Sequence, residues 1–395
     1  MHRAGGAPLF FCGFISRLKP VVAGPFEAML PLPDDRLTPI CASSLIFMQQ
    51  SCKNKNKCYL YLPGSNSNPG HYSANGDKTR CPTQQFHDMK ENRPFDVIIV
   101  GGSYAGLSAA MALGRSLKQV LVLDSEKPCN APTPHSHNFL TQDGSTPKEI
   151  STLARQQVAA YDTVQLLTDP ATGATAAGGR FTVTTLSGMQ FEGRKLILAT
   201  GIKDQLPTIN GLAECWGKSV IHCPYCHGYE YRNQQTGILA NGPMAVHLAK
   251  LVHNLTKELV LLTNGTPQFT DAESGQLQRH SIPVIETGIS AIEHSGGQVQ
   301  RIAFKDGSAL KLDALYARVP FVQHSDLPGL LGCALTEQGY IQTDAFQKTT
   351  VPGVFACGDA VSPMRSVASA VATGNLAGAM ANNDLSEEAW HTMYL

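Results

Sequence analysis

Phe95-Asp96-Val97-Ile98-Ile99-Val100-Gly101-Gly102-Ser103-Tyr104-Ala105-Gly106 runs from an unbroken apolar segment straight into a glycine-rich turn. Apolar continuity without alternation marks a strand buried on both faces of a parallel sheet. Small residues from Leu107 to Leu117 predict a helix next, and Val120-Leu121-Val122-Leu123 predicts a second buried strand ending at Asp124. Strand, glycine turn, helix, strand and terminal acid together make a dinucleotide-binding βαβ unit. The glycines let the chain turn tightly beneath a pyrophosphate, which rests on the helix N-terminus. Asp124, 23 residues beyond Gly101, is placed to accept hydrogen bonds from an adenosine ribose. The predicted nucleotide contacts are therefore Gly101, Gly102, Ser103, Tyr104, Ala105, Gly106 and Asp124. Ser103 stands where the fingerprint has its second glycine.

Two later passages repeat the theme of a buried strand ending in a small-residue turn. Lys195-Leu196-Ile197-Leu198 leads to Ala199-Thr200-Gly201. Val354-Phe355-Ala356-Cys357 leads to Gly358-Asp359, and a small-residue helix is expected from about Ser366 to Met380. A carboxylate at a strand end sits at a pocket mouth, where it can bind ribityl hydroxyls. The helix start behind it offers free N–H groups to an electron-rich ring edge. Thr200, Gly201, Gly358, Asp359 and Ser366 join the predicted contacts on that ground.

Between these motifs lies Ile221-His222-Cys223-Pro224-Tyr225-Cys226-His227-Gly228-Tyr229-Glu230. A Cys-x-x-Cys at a helix start can cycle between dithiol and disulfide, its thiolates stabilised by the helix N-terminus. A neighbouring histidine can carry the proton that the exchange moves. His222, Cys223, Cys226 and His227 also admit a metal-ligand reading. One such pair without a second spaced pair makes a poor zinc site, so the redox reading leads and no metal is expected. Cys129, Cys215, Cys333 and Cys357 lie in apolar or turn contexts and are expected to be buried and inert.

The order GGSYAG, ATG, VFACGD resembles the FAD domain of the two-dinucleotide-domain flavoprotein disulfide reductases. The place of the cysteine pair is similar to that in the low-molecular-weight thioredoxin reductases, over about residues 95–385. The resemblance implies an α/β fold of two Rossmann-like three-layer nucleotide-binding domains, the second inserted into the first. It implies FAD as cofactor and a redox disulfide carried by the second domain. By the same resemblance Cys226 faces the flavin, Cys223 exchanges with substrate and His227 serves as proton carrier. Asn130 and the loop His137-Asn138-Phe139-Leu140 fall where the family's flavin-contacting loop lies, which adds Asn130 and Asn138 to the cofactor residues. The family usually has an acid directly after the pair, and here it is His227. The form Cys-x-x-Cys-His-Gly-Tyr-Glu is closer to the thioredoxin-reductase-like branch that includes oxygen-dependent dithiol oxidases. Two electron partners therefore stay open, NADP(H) and oxygen. The implied partner is a thioredoxin-like protein or a small dithiol or disulfide, acted on by a cytoplasmic homodimer. A zinc-stabilised FAD-binding scaffold is the non-enzymatic alternative.

The expected division is 95–206 plus 319–395 for the FAD-binding domain and 207–318 for the inserted one. The insert repeats the nucleotide pattern weakly. Gly237-Ile238-Leu239 reaches Ala240 where the first fingerprint glycine belongs, with Asn241-Gly242-Pro243 following and a helix expected to about Leu255. The next strand, Leu259 to Leu262, ends in Thr263-Asn264-Gly265, with no arginine cluster for a 2′-phosphate.

Residues 1–94 are of another kind. They hold 11 Lys and Arg against 6 Asp and Glu, whereas the rest holds 20 against 25, and they carry 10 of the 24 prolines. No period of 2 or 3.6 survives there, so the segment is expected to be a disordered extension. Met89 stands directly before the first clear strand, as a start codon would, and residues 1–88 are expected to be an upstream extension. A secretory signal is the weaker reading of the short run Pro8–Ile15. The whole chain balances 31 basic against 31 acidic residues, which argues against a polyanion partner such as nucleic acid. No apolar run approaches the roughly 18 residues that a membrane span needs, so a soluble chain is expected.

Overall fold

The computed structural model describes residues 94–392, together with the antiparallel strand pair Ser51–Asn54 and Lys57–Tyr59. The remaining expectations about residues 1–93 lie outside the described residues. The first sheet is built around β1 (Phe95–Val100), whose last four residues are buried. It is flanked by β2 (Val120–Asp124), buried throughout, with β3 (Val164–Thr168) beyond. On its other side lies β6 (Gln190–Leu198), also parallel to β1. The two halves of β6 serve different neighbours. Its start pairs antiparallel with β5 (Arg180–Thr185), which forms a hairpin with β4 (Ala171–Ala177), and its end pairs parallel with β17 (Val354–Ala356).

Helices α1 (Tyr104–Arg115), α2 (Pro147–Ala159) and α8 (Val367–Thr392) belong to the same layer system. A Cβ at Gly374 would lie 2.1 Å from the Ala105 carbonyl, and one at Gly378 would lie 2.5 Å from that of Ala109. The small residues of α1 and α8 are therefore the condition for their backbones to touch. Helix α1 begins three residues before the predicted Leu107, because the chain turns helical immediately after the extended Ser103. Helix α8 continues twelve residues past Met380. Its polar end is tied to the sheet by Lys195–Glu388 and by Lys348–Asp384 at 2.8 Å.

Strands β7 (Ile202–Asp204) and β16 (Phe321–Gln323) pair antiparallel and carry the chain out of this sheet and back. Between them stands a second, fully parallel sheet in the order β8 (Val220–Ile221), β15 (Ala314–Ala317), β9 (Thr236–Leu239), β10 (Leu259–Leu262), β11 (Val284–Ile285). Helices α5 (Pro243–Val252) and α6 (Asp271–Arg279) cover one face. A three-stranded meander, β12 (Ile289–Ser295), β13 (Gln298–Phe304) and β14 (Ala309–Lys311), packs on the other. Single turns α3 (Leu212–Cys215), α4 (Pro224–His227) and α7 (Leu327–Leu330) and a 3-10 turn at Gly358–Ala360 complete the described elements. Among the described residues no helix is long and apolar enough to cross a membrane.

Candidate functional site

Strands β1, β6 and β17 end at one edge of the first sheet, the edge where open α/β sheets bind ligands. Gly101 has φ +108°, and a Cβ there would lie 2.2 Å from the Ala199 carbonyl, so the first and second motifs are in backbone contact. A Cβ on Gly358 would lie 3.0 Å from that of Ala105, which brings in the third. Ser103 precedes α1 without capping it by its side chain, and no acid occupies the first turn, so the first N–H groups stay free for an anion. Gly102 donates its N–H to Asp124 Oδ1 at 3.1 Å, while Arg155 from α2 holds Asp124 Oδ2. A ribose at Asp124 would share the carboxylate with Arg155, a partner with no sequence signal.

Deeper along the edge, Thr200 Oγ1 is buried without a protein partner, beside Gly201 at φ +67°. Asp359 follows Gly358, whose N–H donates to Thr373 Oγ1 at 3.0 Å. Burial lifts the Asp359 carboxyl above the ordinary carboxylate range, against the opposing charge of Arg365. Asn130 donates to the Tyr104 hydroxyl at 3.2 Å, and Ser366 Oγ accepts the Ser369 N–H at 3.1 Å at the start of α8. An unpaired buried hydroxyl, a free helix start and a half-buried acid fit the polar chain of FAD. Cys215, Cys333 and Cys357 are buried, as expected, but Cys129 is an exposed residue. Its thiol nonetheless turns inward to 3.8 Å from Asp359 Oδ2, and burial there, with the Asp359 charge, pushes it up to about 12.

Arg365 links this pocket to the cysteine pair. Its guanidinium makes a bidentate bridge to Asp204 on β7 at 2.8 and 2.9 Å, and Nε stands 3.5 Å from Asp359 Oδ2. Burial opposes the charge, but Asp204 and Asp359 outweigh it and hold the guanidinium protonated. The Arg365 carbonyl lies 3.8 Å from Cys226 Sγ. Arg365 was missed from sequence, although it is the only charged residue between Asp359 and Asp384.

Cys223 and Cys226 are joined by a disulfide with Cα atoms 5.3 Å apart. The helix that the pair opens is short. It is the single turn α4, because the chain leaves the helical path after Gly228. A Cβ at Gly228 would lie 2.4 Å from Leu255 Cδ1 and 2.9 Å from the Tyr316 hydroxyl, so the turn is pressed flat on the second sheet. One turn gives little dipole, and the neighbouring side chains carry the electrostatics instead. His222, stacked on Trp216 with ring centroids 6.1 Å apart, is half-buried, and its Nε2 is buried without a protein partner. Burial, then the Arg365 charge, drives its pKa down to about 4, so it is neutral beside Cys223. His227 is also lowered by burial, with Glu230 pulling it up and His137 pulling it down. Among the described residues no group of three or more His, Cys, Asp or Glu is placed to share a metal ion.

The loop expected at the flavin reaches the outer side of the pair as well. Asn138, at φ +59°, lines a cavity of about 270 Å³ with His137, Asp143, Tyr225, Tyr229 and Glu230. In the second sheet the glycine turn is closed on itself. Asn241 Oδ1 accepts the N–H groups of Gly242 and Gln268, each at 2.8 Å, and Thr263 Oγ1 donates to the Gly265 carbonyl at 2.6 Å. Helix α5 starts at Pro243 and ends at Val252, three residues before the predicted Leu255.

The sequence profile of the pyridine nucleotide-disulphide oxidoreductases matches residues 95–374. The chain belongs to that family. It is an oxidoreductase of the thioredoxin-reductase-like kind, a family of FAD-binding flavoproteins. A protein of Claviceps purpurea named thioredoxin reductase tcpT is 35% identical over 75% of this chain and 96% of its own length. One of Aspergillus oryzae, thioredoxin reductase aclD, is 34% identical over 72% and 94%. The crystal structure of an oxidoreductase from Agrobacterium tumefaciens superposes with a TM-score of 0.70 at 39% identity, covering 74% of this chain and 99% of that one.

Proposed function

We propose that the chain catalyses thiol–disulfide exchange at Cys223 and Cys226, oxidising small dithiols and delivering their electrons through Cys226 to FAD and then oxygen. The observation that carries this reading is the bridging position of the disulfide. Cys226 Sγ lies against the Arg365 carbonyl on the Asp359 side, and Tyr225 of the same turn opens on the outer cavity. Residues 95–206 plus 319–395 are taken as the FAD-binding domain and 207–318 as the insert that carries the pair. Gly101 to Gly106 would hold the pyrophosphate, Asp124 the ribose and Asp359 the ribityl chain, with Asn130, Thr200, Gly201 and Ser366 around them. Bound FAD supplies a two-electron acceptor that oxygen reoxidises.

A substrate thiolate attacks Cys223, the disulfide breaks, and Cys226 leaves as a thiolate. The second substrate thiol gives its proton to His227 and attacks the substrate sulfur of the mixed disulfide, expelling Cys223, which takes up the proton released when the first substrate thiol ionised. The substrate departs oxidised and the cysteine pair keeps the two electrons. Oxygen is favoured over NADP(H) because the Asn241 amide already fills the backbone donors a pyrophosphate would need, and Thr263-Asn264-Gly265 offers no cation to a 2′-phosphate. The relatives named thioredoxin reductase favour a second reading, NADPH-driven reduction of a thioredoxin-like protein. An oxygen electrode separates the two. Dithiothreitol should drive oxygen uptake and peroxide release that Cys223→Ser and Cys226→Ser abolish. Reduction of thioredoxin by micromolar NADPH would reverse the assigned direction. The same reading takes the working molecule as a cytoplasmic homodimer, to be checked by light scattering and cell fractionation.

A further inference from the structure

We propose that His137 is a positioning residue that completes a proton relay from His227 to solvent. The relay runs through Glu230 and Asp143 and is divided between the two nucleotide-binding folds. The inference rests on the exchange at Cys223 and Cys226 and adds to it the route by which the thiol proton leaves.

The exchange demands such a route. A substrate R(SH)₂ and the Cys223–Cys226 disulfide give the substrate disulfide, a Cys223 thiol, a Cys226 thiolate and one proton. His227, kept neutral by burial, can take that proton but must release it before the next turnover. Its ring and that of His137 meet in a T-shaped arrangement, with centroids 6.4 Å apart and planes at 89°. Both His137 nitrogens face carboxylates, Nε2 at 3.6 Å from Glu230 Oε1 and Nδ1 at 3.5 Å from Asp143 Oδ1. The Asp143 side chain is 68% exposed and that of His137 only 23%, so the path runs outward. His135, 6.4 Å from His137, is tied to the Gly144 carbonyl at 2.9 Å and fixes the loop. Asp143 also accepts the Asn138 N–H at 2.7 Å. His137 and Asp143 come from the loop after β2 in the first fold, whereas His227 ends α4 and Glu230 follows it in the second. The path is therefore complete only in the packing that puts the disulfide at the Asp359 edge. The cavity around it, which also holds Tyr225 and Tyr229, gives the substrate access to the same groups.

The test follows reduction of the Cys223–Cys226 disulfide by dithiothreitol in the full-length, FAD-loaded protein, quenched with an alkylating agent and counted by mass spectrometry. In dilute buffer at pH 7, His137→Gln should slow labelling about tenfold, and Asp143→Asn, at an exposed site, about threefold; added imidazole should restore both. Flavin content should stay that of the wild type. Wild-type rates in both variants, or slow rates that imidazole leaves unchanged, would overturn the relay while leaving the exchange intact. A wild-type disulfide that dithiothreitol does not open would instead remove the exchange reading, and the relay with it.

Discussion

His222 gives the sharpest test of the site's electrostatics, because its half-buried imidazole is held neutral against Trp216 with its Nε2 buried and unpartnered. An ordinary histidine titrates near pH 6.5, and this one is lowered to about 4 by burial and by Arg365. The folded state therefore resists a proton that the unfolded chain accepts. Stability from this residue is fully present above pH 6.5 and falls as pH drops toward the folded value. Each pKa unit is worth roughly 1.4 kcal/mol, so His222 alone should cost about 2 kcal/mol by pH 5 and about 3 kcal/mol by pH 4. Urea midpoints for wild type and His222→Gln, measured from pH 7.5 to 4.5, would isolate this contribution. The variant is expected to be less stable at neutral pH, where it loses the stack, but to lose less stability on acidification. Parallel curves for the two proteins would refute the claim that His222 is held neutral.

Asp359→Ala should leave the ribityl contacts unpaired and cost about 1–3 kcal/mol, a fall in FAD affinity of roughly 5- to 150-fold, measured by flavin retention on dialysis. Protein begun at Met89 should keep the melting temperature and flavin content of the full chain, since every residue placed at the candidate site lies after Phe95; a large loss in either would refute this. Anaerobic stopped-flow mixing should show rapid flavin bleaching by dithiothreitol and slow bleaching by NADPH below millimolar concentration. Losing a charge-assisted phosphate contact is worth about 1.5–3 kcal/mol, more than tenfold in affinity. Fast reduction by micromolar NADPH would overturn that ordering.

The parts of the fold legible in sequence are those whose signal is local. Val97 to Val100 and Val120 to Leu123 are apolar without interruption because both faces of each strand are covered, and they lie where their composition puts them. The end of α8 was not legible. From Ala381 to Thr392 it is mostly polar, with only Ala381 and Leu385 buried in the core, and its ionic anchors are Lys195 and Lys348, distant in the chain. The hairpin of β4 and β5 was missed for a related reason: Ala171 to Ala177 is made of small and weakly apolar residues, and only pairing with Arg180 to Thr185 defines it. At the site, the cysteine pair and the glycine turns announce themselves by spacing. Arg365, Asp204, Arg155 and the contacts of His137 with Glu230 exist only once distant segments are packed together.

The central claim is that Cys226, and not Cys223, stands at the flavin. Absorbance spectra of the two FAD-loaded serine variants test it most directly. Cys223→Ser leaves the Cys226 thiolate free beside the oxidised cofactor and should show a long-wavelength charge-transfer band, whereas Cys226→Ser should show none. A band in both variants, or in Cys226→Ser alone, would contradict the assignment.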